Sequence, residues 1–224
     1  KRIQGQAESD LTPEGVRQSM LLGKRLSEVE FDCIYVSPLR RTLQTLKAMA
    51  VNSDVPVVED PRLMEICMGD WQGELVENLK RNYPEEIDCF WTKPHAFNRA
   101  TCETYKQVYD RGTEFVRSVV EKYKSGNILV VTHGAFLKIL FTYFRYLQLH
   151  DIPQVIHPFS TALSVVELKD GTYRPFHMCV GGANLVNKEL KTLIESFEIK
   201  PRNVVNTNIK DYDVFSDKKL LEEL

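Results

Sequence analysis

Residues 128–140 read Ile-Leu-Val-Val-Thr-His-Gly-Ala-Phe-Leu-Lys-Ile-Leu. Ile128 to Thr132 have the composition and length of a short buried strand, and the apolar run after them suits a helix from Gly134 to about Leu147. The change of state falls on His133-Gly134. In open α/β sheets, ligands gather at the carboxyl ends of strands, where each strand hands over to a helix. A glycine there permits close backbone approach, and the free N–H groups and dipole of the helix favour an anion such as phosphate. A lone histidine at such a place can equally serve as a cap packed beneath the helix. The choice rests on what the rest of the chain brings.

On either side of this stretch the same rhythm recurs. Thr12-Pro13 is a helix start, with a hydroxyl cap followed by proline in the first turn, and Val16, Met20 and Leu21 share a face up to about Glu28. A strand around Cys33 to Val36 meets a Ser37-Pro38 break and a helix through Ala50, and a further short strand starts at Val55. Glu65 to Ala100, with Trp71, Trp91 and several prolines, reads as loops and short helices covering something. A long helix from Glu103 to Lys124 leads back to Ile128. Ser160–Leu168 and Tyr173–Val180 flank Lys169-Asp170-Gly171, an Asp-Gly hairpin signal. Strands alternating with helices predict a three-layer α/β/α sandwich, and the late hairpin would make a mostly parallel sheet mixed. Residues 1–186 form one domain in this reading. Residues 187–224 form a C-terminal extension in which Asn187-Lys-Glu-Leu-Lys-Thr-Leu-Ile-Glu-Ser-Phe197 suggests one more helix.

Composition narrows the function classes. With 224 residues and 43% hydrophobic content, the chain can bury a sizeable core without disulfides or metals. A formal net charge of −2 gives no general reason to expect nucleic-acid or anionic-membrane binding, so any anion site is local. Five widely spaced cysteines without a Cys-x-x-Cys pair argue for reduced thiols in a cytoplasmic protein, not for a disulfide framework or a zinc site. No apolar run reaches the roughly 18 residues of a membrane span. Neither a Gly-x-Ser-x-Gly elbow nor a P-loop occurs in the sequence. The chain opens on Lys1 without a methionine, which suggests processing or truncation upstream.

Two further places could join His133. Ser37-Pro-Leu-Arg-Arg-Thr42 puts two arginines at the mouth of a helix, where positive charge opposes the macrodipole, so a phosphate-binding role is a better reason than stability. A solvated basic turn is the alternative and suits Arg40 more than Arg41. In Arg62-Leu-Met-Glu-Ile-Cys-Met-Gly-Asp-Trp-Gln-Gly73, Glu65 follows a strand, and a carboxyl in a partly apolar setting can give a proton to a leaving group. Alone, an exposed loop glutamate is the simpler reading. Histidine, arginine and glutamate near strand ends together suit phosphoryl transfer.

The ordered segments Ser37–Thr45, Arg62–Gly73 and Val130–Leu140 resemble the histidine phosphatase superfamily, also called phosphoglycerate-mutase-like. The similarity runs from Lys1 to about Val186, and Phe90-Trp-Thr-Lys-Pro-His-Ala-Phe97 is most similar to its broad-specificity phosphatase branch. The resemblance implies that Arg41 clamps phosphate, Glu65 is the general acid and His133 donates to the phosphoryl oxygens. It implies that Gln4 and the Gly134 amide line the phosphate pocket. Glu103 and Thr104 match a Gly-Glu-Ser/Thr turn, with Cys102 in place of its glycine. It further implies a metal-independent phosphomonoester hydrolase without cofactor, acting on small phosphorylated metabolites through a phosphohistidine. Phosphoglycerate-mutase-type transfer is the nearest rival, although the span from Gly73 to Ile128 is short for the insertions of cofactor-dependent mutases. A homodimer is left open.

Family members attack phosphate with the histidine of an Arg-His-Gly motif at the end of the first strand. The 224 residues contain no such motif, and the sequence begins just downstream of where the resemblance places it, so we expect a longer protein that carries nucleophile and strand. Without them, an inactive phosphate-binding or regulatory module is the rival. His95 reads as a surface residue of the covering segment, His150 and His157 flank a helix end without metal-ligand spacing, and His177 lies in the second hairpin strand. Trp71 and Trp91 read as core or pocket wall.

Overall fold

A computed structural model describes residues 1–51 and 54–180, with side chains described up to residue 175. The helix expected within residues 187–197 and the extension as a whole lie outside the described residues.

The element order agrees with the predicted rhythm: α1 (Pro13–Leu26), β1 (Cys33–Val36), α2 (Arg40–Met49), β2 (Val57–Glu59), α3 (Val76–Asn82), α4 (Pro84–Thr92), α5 (Tyr105–Lys122), β3 (Ile128–Val131), α6 (Gly134–Phe144), β4 (Leu163–Lys169) and β5 (Thr172–Val180). Their ends are chemically legible. Thr12 Oγ1 accepts the Gly15 N–H at 3.1 Å with Pro13 in the first turn. Thr104 and Gln107 close a capping box at the start of α5.

The sheet has the order β2-β1-β3, all parallel, with Val36 opposite Val131 and Glu59. All four β1 residues are buried, as expected of a strand covered on both faces. Ile34 and Val36 meet Leu26, Met49, Leu129 and Val131 on the side of α1 and α2. Cys33 and Tyr35 point the other way, into a larger cluster with Phe115 and Val116 of α5 and Phe136, Ile139 and Leu140 of α6. Strand pleating thus sends alternate residues of one tetrapeptide into two cores, which makes the three layers. α1 reaches α2 at Gly23, where a Cβ would lie 1.8 Å from the Met49 carbonyl oxygen.

The hairpin forms as expected, antiparallel, with Asp170 and Gly171 at positive φ in its turn. It stands, however, as its own two-stranded sheet and does not extend the parallel one. Register shifts between Leu163 and Val166 break the ladder at the start of β4, and Leu163 attaches the hairpin to the α1/α2-side core through its side chain.

Residues 61–104 form the cover. Trp71, 1% exposed, is ringed by Tyr83, Phe90 and Phe97, and the Arg99 guanidinium lies 5.0 Å over its ring. Trp91 is exposed. Among the described residues no helix is long and apolar enough to cross a membrane.

Candidate active site

The parallel strands bring residues distant in sequence to one end of the sheet. β1 ends at Val36 and β3 at Val131, paired partners, so Ser37 and His133 emerge side by side just beyond them. His133 is the N-cap residue of α6 and is 7% exposed. Its Nε2 lies 2.7 Å from Ser37 Oγ, and Arg41 donates Nε–H to its Nδ1 at 3.2 Å. Arg41 sits in the first turn of α2, one turn after Ser37. Because Nδ1 accepts, the ring carries its proton on Nε2 and donates it to Ser37. Burial, reinforced by the nearby charges of Arg41 and Arg111, holds the His133 pKa down to about 3, so the imidazole is neutral at physiological pH.

Arg41 gives its remaining described bonds to backbone carbonyls, Nη1–H to Ala7 at 3.0 Å and Nη2–H to Gly5 at 2.7 Å. These bonds, with the one to His133, hold the guanidinium in place without neutralising it. Burial disfavours its charge and Glu65 and Glu8 favour it, an environment that an incoming dianion would improve. Arg40, by contrast, is exposed and paired loosely with Glu8 and Asp10 at 3.8 and 3.5 Å, the solvated turn residue of the alternative reading.

Glu65 is half-buried, and its carboxyl, turned inward, caps α6 from outside the helix. Oε1 accepts from Phe136 N–H at 2.8 Å and from Ile66 N–H at 2.9 Å, and Oε2 from Ala135 N–H at 3.0 Å. His133 offers no side-chain cap, so this remote carboxyl supplies it. The group over the helix mouth is therefore, in this structure, an internal carboxyl. Burial raises the Glu65 pKa, opposed by the three amides and then by the Arg41 charge. Oε1 takes two of these donors and Oε2 one, so Oε2 has the room for a proton.

The structure thus brings together Arg41, Glu65 and His133, with the Gly134 amide at the mouth of α6. It places the other sequence candidates differently. Gln4 is exposed and donates to Ser9 Oγ at 2.5 Å. The glutamine that reaches inward is Gln6, whose Nε2–H donates to the Glu65 carbonyl at 2.8 Å. Thr104 is occupied as the cap of α5, and Glu103 pairs with Arg111 at 2.8 Å while accepting the Cys67 N–H. A carboxylate and a capping hydroxyl so engaged are supports of the site's wall.

Ser37, Gln6 and Arg111 join these residues without belonging to the site set that the sequence motifs offer. His157 stands over the helix mouth: a Cβ on Gly134 would lie 3.1 Å from its Nε2. His95 is exposed, with its ring edge-on to His150 at 6.2 Å. Among the described residues no group of His, Cys, Asp or Glu has the arrangement of a metal site.

Comparison with known proteins gives the family. Residues 1–179 match the family model described as histidine phosphatase superfamily (branch 1). "Phosphoserine phosphatase 1" of Hydrogenobacter thermophilus is 32% identical over 140 residues, covering 62% of this chain and 66% of that protein. "Metal-independent phosphoserine phosphatase" of Arabidopsis thaliana is 30% identical over 172 residues, covering 75% and 70%. The chain thus spans about two thirds of the length of these curated relatives. Among solved structures, Bacillus stearothermophilus YhfR superposes with a TM-score of 0.75 at 33% identity, over 78% of this chain and 86% of that one. The convergence of Arg41, Glu65 and His133 at the strand ends, and a family match running through all three, place the chain in the histidine phosphatase superfamily.

Proposed function

We propose that this protein is a phosphomonoester hydrolase that acts on small phosphorylated metabolites through a phosphohistidine intermediate. One observation carries the reading: a buried neutral histidine, an arginine without a carboxylate bonded to it among the described residues, and a half-buried carboxyl with raised pKa share one helix mouth. A static anion sink needs the arginine and the amides. It does not need an acid of raised pKa poised beside them.

In the proposed scheme the substrate's phosphoryl group enters beside Arg41, whose guanidinium offers a fork of N–H donors to the anionic oxygens. It competes with Ser37 for the His133 Nε2 proton, so the imidazole turns from an internal bond to a phosphoryl oxygen. In this scheme the attacking nitrogen is that of a histidine in an Arg-His-Gly motif as in the family, a motif the 224 residues do not contain. As its bond to phosphorus forms, the bond from phosphorus to the leaving oxygen breaks, and Glu65 Oε2 gives its proton to that oxygen. Water then attacks the phosphohistidine with Glu65 taking its proton, the phosphorus–nitrogen bond breaks, and inorganic phosphate leaves. No step calls on a metal ion.

The names of the relatives support a hydrolase: phosphoserine phosphatases from a bacterium and a plant are among them. "Phosphoglycerate mutase-like protein 4" of Arabidopsis, 28% identical over 179 residues, keeps transfer to a second hydroxyl as the rival. The deciding experiment is an assay on aryl and alkyl phosphates with chelator present, on protein whose mass and first residues have been determined, with acid- and base-quenched samples examined for label from radioactive phosphate. Hydrolysis with an acid-labile, base-stable phosphoenzyme is expected. Protein that binds phosphate yet turns over no monoester would establish the inactive-module reading.

A further inference from the structure

Arg111, on the second turn of α5, spends all five guanidinium N–H groups on one short stretch of chain and its partner. Nη1–H donates to the carbonyls of Arg62 at 2.7 Å and Met64 at 2.6 Å, and Nη2–H to the carbonyl of Glu65 at 3.1 Å. The remaining Nη2–H and Nε–H form a bidentate pair with Glu103 at 3.0 and 2.8 Å. Glu103 Oε2 also accepts the Cys67 N–H at 2.8 Å. The peptide backbone is therefore gripped at residues 62, 64 and 65 by the cation and at 67 by its counter-ion, immediately on both sides of the Glu65 carboxyl.

The same guanidinium lies 5.2 Å over the ring of Phe136, whose own N–H holds Glu65 Oε1. One side chain touches the loop that carries the acid and the helix residue that orients it. Its charge is balanced by Glu103, so what reaches Glu65 is position more than field. Side-chain exposure is low for both partners, 17% and 22%, which makes the pair a fixed strut and not a surface ion pair.

We infer that Arg111, braced by Glu103, is a positioning residue for Glu65: the pair fixes the acid's backbone so that Oε2 meets the leaving oxygen, and forms the wall behind the carboxyl. This rests on the proposed role of Glu65 and adds to it the residues that set its aim. The pairing assigns Glu103 a duty different from substrate binding. Lysine cannot substitute, because a point ammonium with three donors cannot serve three carbonyls and a bidentate carboxylate at once.

The test uses the whole protein and the variants Arg111→Lys and Glu103→Gln, with two readouts. The first is the titration of the Glu65 carboxyl by carbon-13 NMR, its signal assigned by its loss in Glu65→Gln. In Arg111→Lys the wall loosens, more water reaches the carboxyl, and its pKa falls toward the ordinary carboxylate range. Glu103→Gln, which keeps one acceptor oxygen, moves it the same way by less. The second readout is turnover on phosphates of graded leaving-group acidity. Arg111→Lys lowers kcat about tenfold or more on poor leaving groups, as small misplacement of a catalytic group does, with less loss on activated aryl phosphates and little change in KM. Added to Glu65→Gln it lowers turnover no further. A variant that melts earlier but keeps the wild-type Glu65 titration, and loses rate equally on every substrate, would overturn the inference. If the wild type hydrolyses nothing, the functional proposal falls, and the Glu65 titration still decides the positioning role.

Discussion

Arg41 Nε lies 3.2 Å from His133 Nδ1 across 92 residues of sequence, and this one bond fixes the tautomer of the histidine and the aim of the arginine. Each residue completes the other's geometry, so the loss of either disables both. Arg41→Ala and His133→Ala are each expected to lower turnover by about a hundredfold or more, the usual cost of one preorganised transition-state donor. Because they act as a unit, the double variant should fall little below the worse single one. Steady-state kinetics on one phosphomonoester checks this, and near-normal rates in both singles would remove the site.

Glu65→Gln keeps an oxygen for the α6 amides but has no proton to deliver. A large loss is expected on alkyl phosphates, whose leaving oxygens need protonation, and a smaller loss on an activated aryl phosphate. Equal losses on both would show that Glu65 only caps the helix. Since burial raises the Glu65 pKa, the wild-type rate on alkyl phosphates should fall as pH rises through that raised value, and this limb should vanish in the variant.

His133 has a folded-state pKa of about 3 against 6.5 for the free side chain. The folded protein thus binds its proton less readily than the unfolded chain. The contribution is fully present above pH 6.5, declines as pH falls below it and is exhausted near 3. Denaturant unfolding across this window should show a decline that is shallower in His133→Asn, which keeps polar atoms but does not titrate. An identical decline in the variant would assign the acid sensitivity to other groups.

Two glycines of α1 should respond oppositely to alanine. At Gly15 a Cβ would find its nearest contacts at 3.5 Å, so Gly15→Ala is expected to stabilise by roughly 0.5–1 kcal/mol through helix propensity. At Gly23 it would lie 1.8 Å from a backbone oxygen of α2, and the helices must separate, at a cost of about 1–3 kcal/mol. Thermal melts of both variants check the pair. A tolerated Gly23→Ala would show that α1 and α2 do not pack as closely as described.

Much of this was legible in the chain itself. Apolar tetrapeptides such as Cys33–Val36 and Ile128–Val131 have the length and composition of covered strands, and Thr12-Pro13 and Asp170-Gly171 declare a helix start and a turn through local backbone chemistry alone. Periodicity and turn chemistry are properties of neighbours in sequence, and so could be read there. For the same reason Arg41, Glu65 and His133 could be singled out: each lies near a strand end, where an α/β fold must place its ligands.

Partnership between distant residues is not such a property. That Glu65 caps α6, that Ser37 accepts the His133 Nε2–H hydrogen bond, that Gln6 and not Gln4 reaches inward, and that Arg111 meets Glu103 and three carbonyls are decided by strand register and helix packing. So is the hairpin's standing apart as its own sheet. A buried polar group must be satisfied by whatever the fold brings within hydrogen-bond reach, about 3 Å, and sequence separation carries no information about that distance. The order of residues along the chain settles which side-chain types stand at the strand ends. Which of them face one another is settled in three dimensions, by the packing of layers onto the two sides of β1.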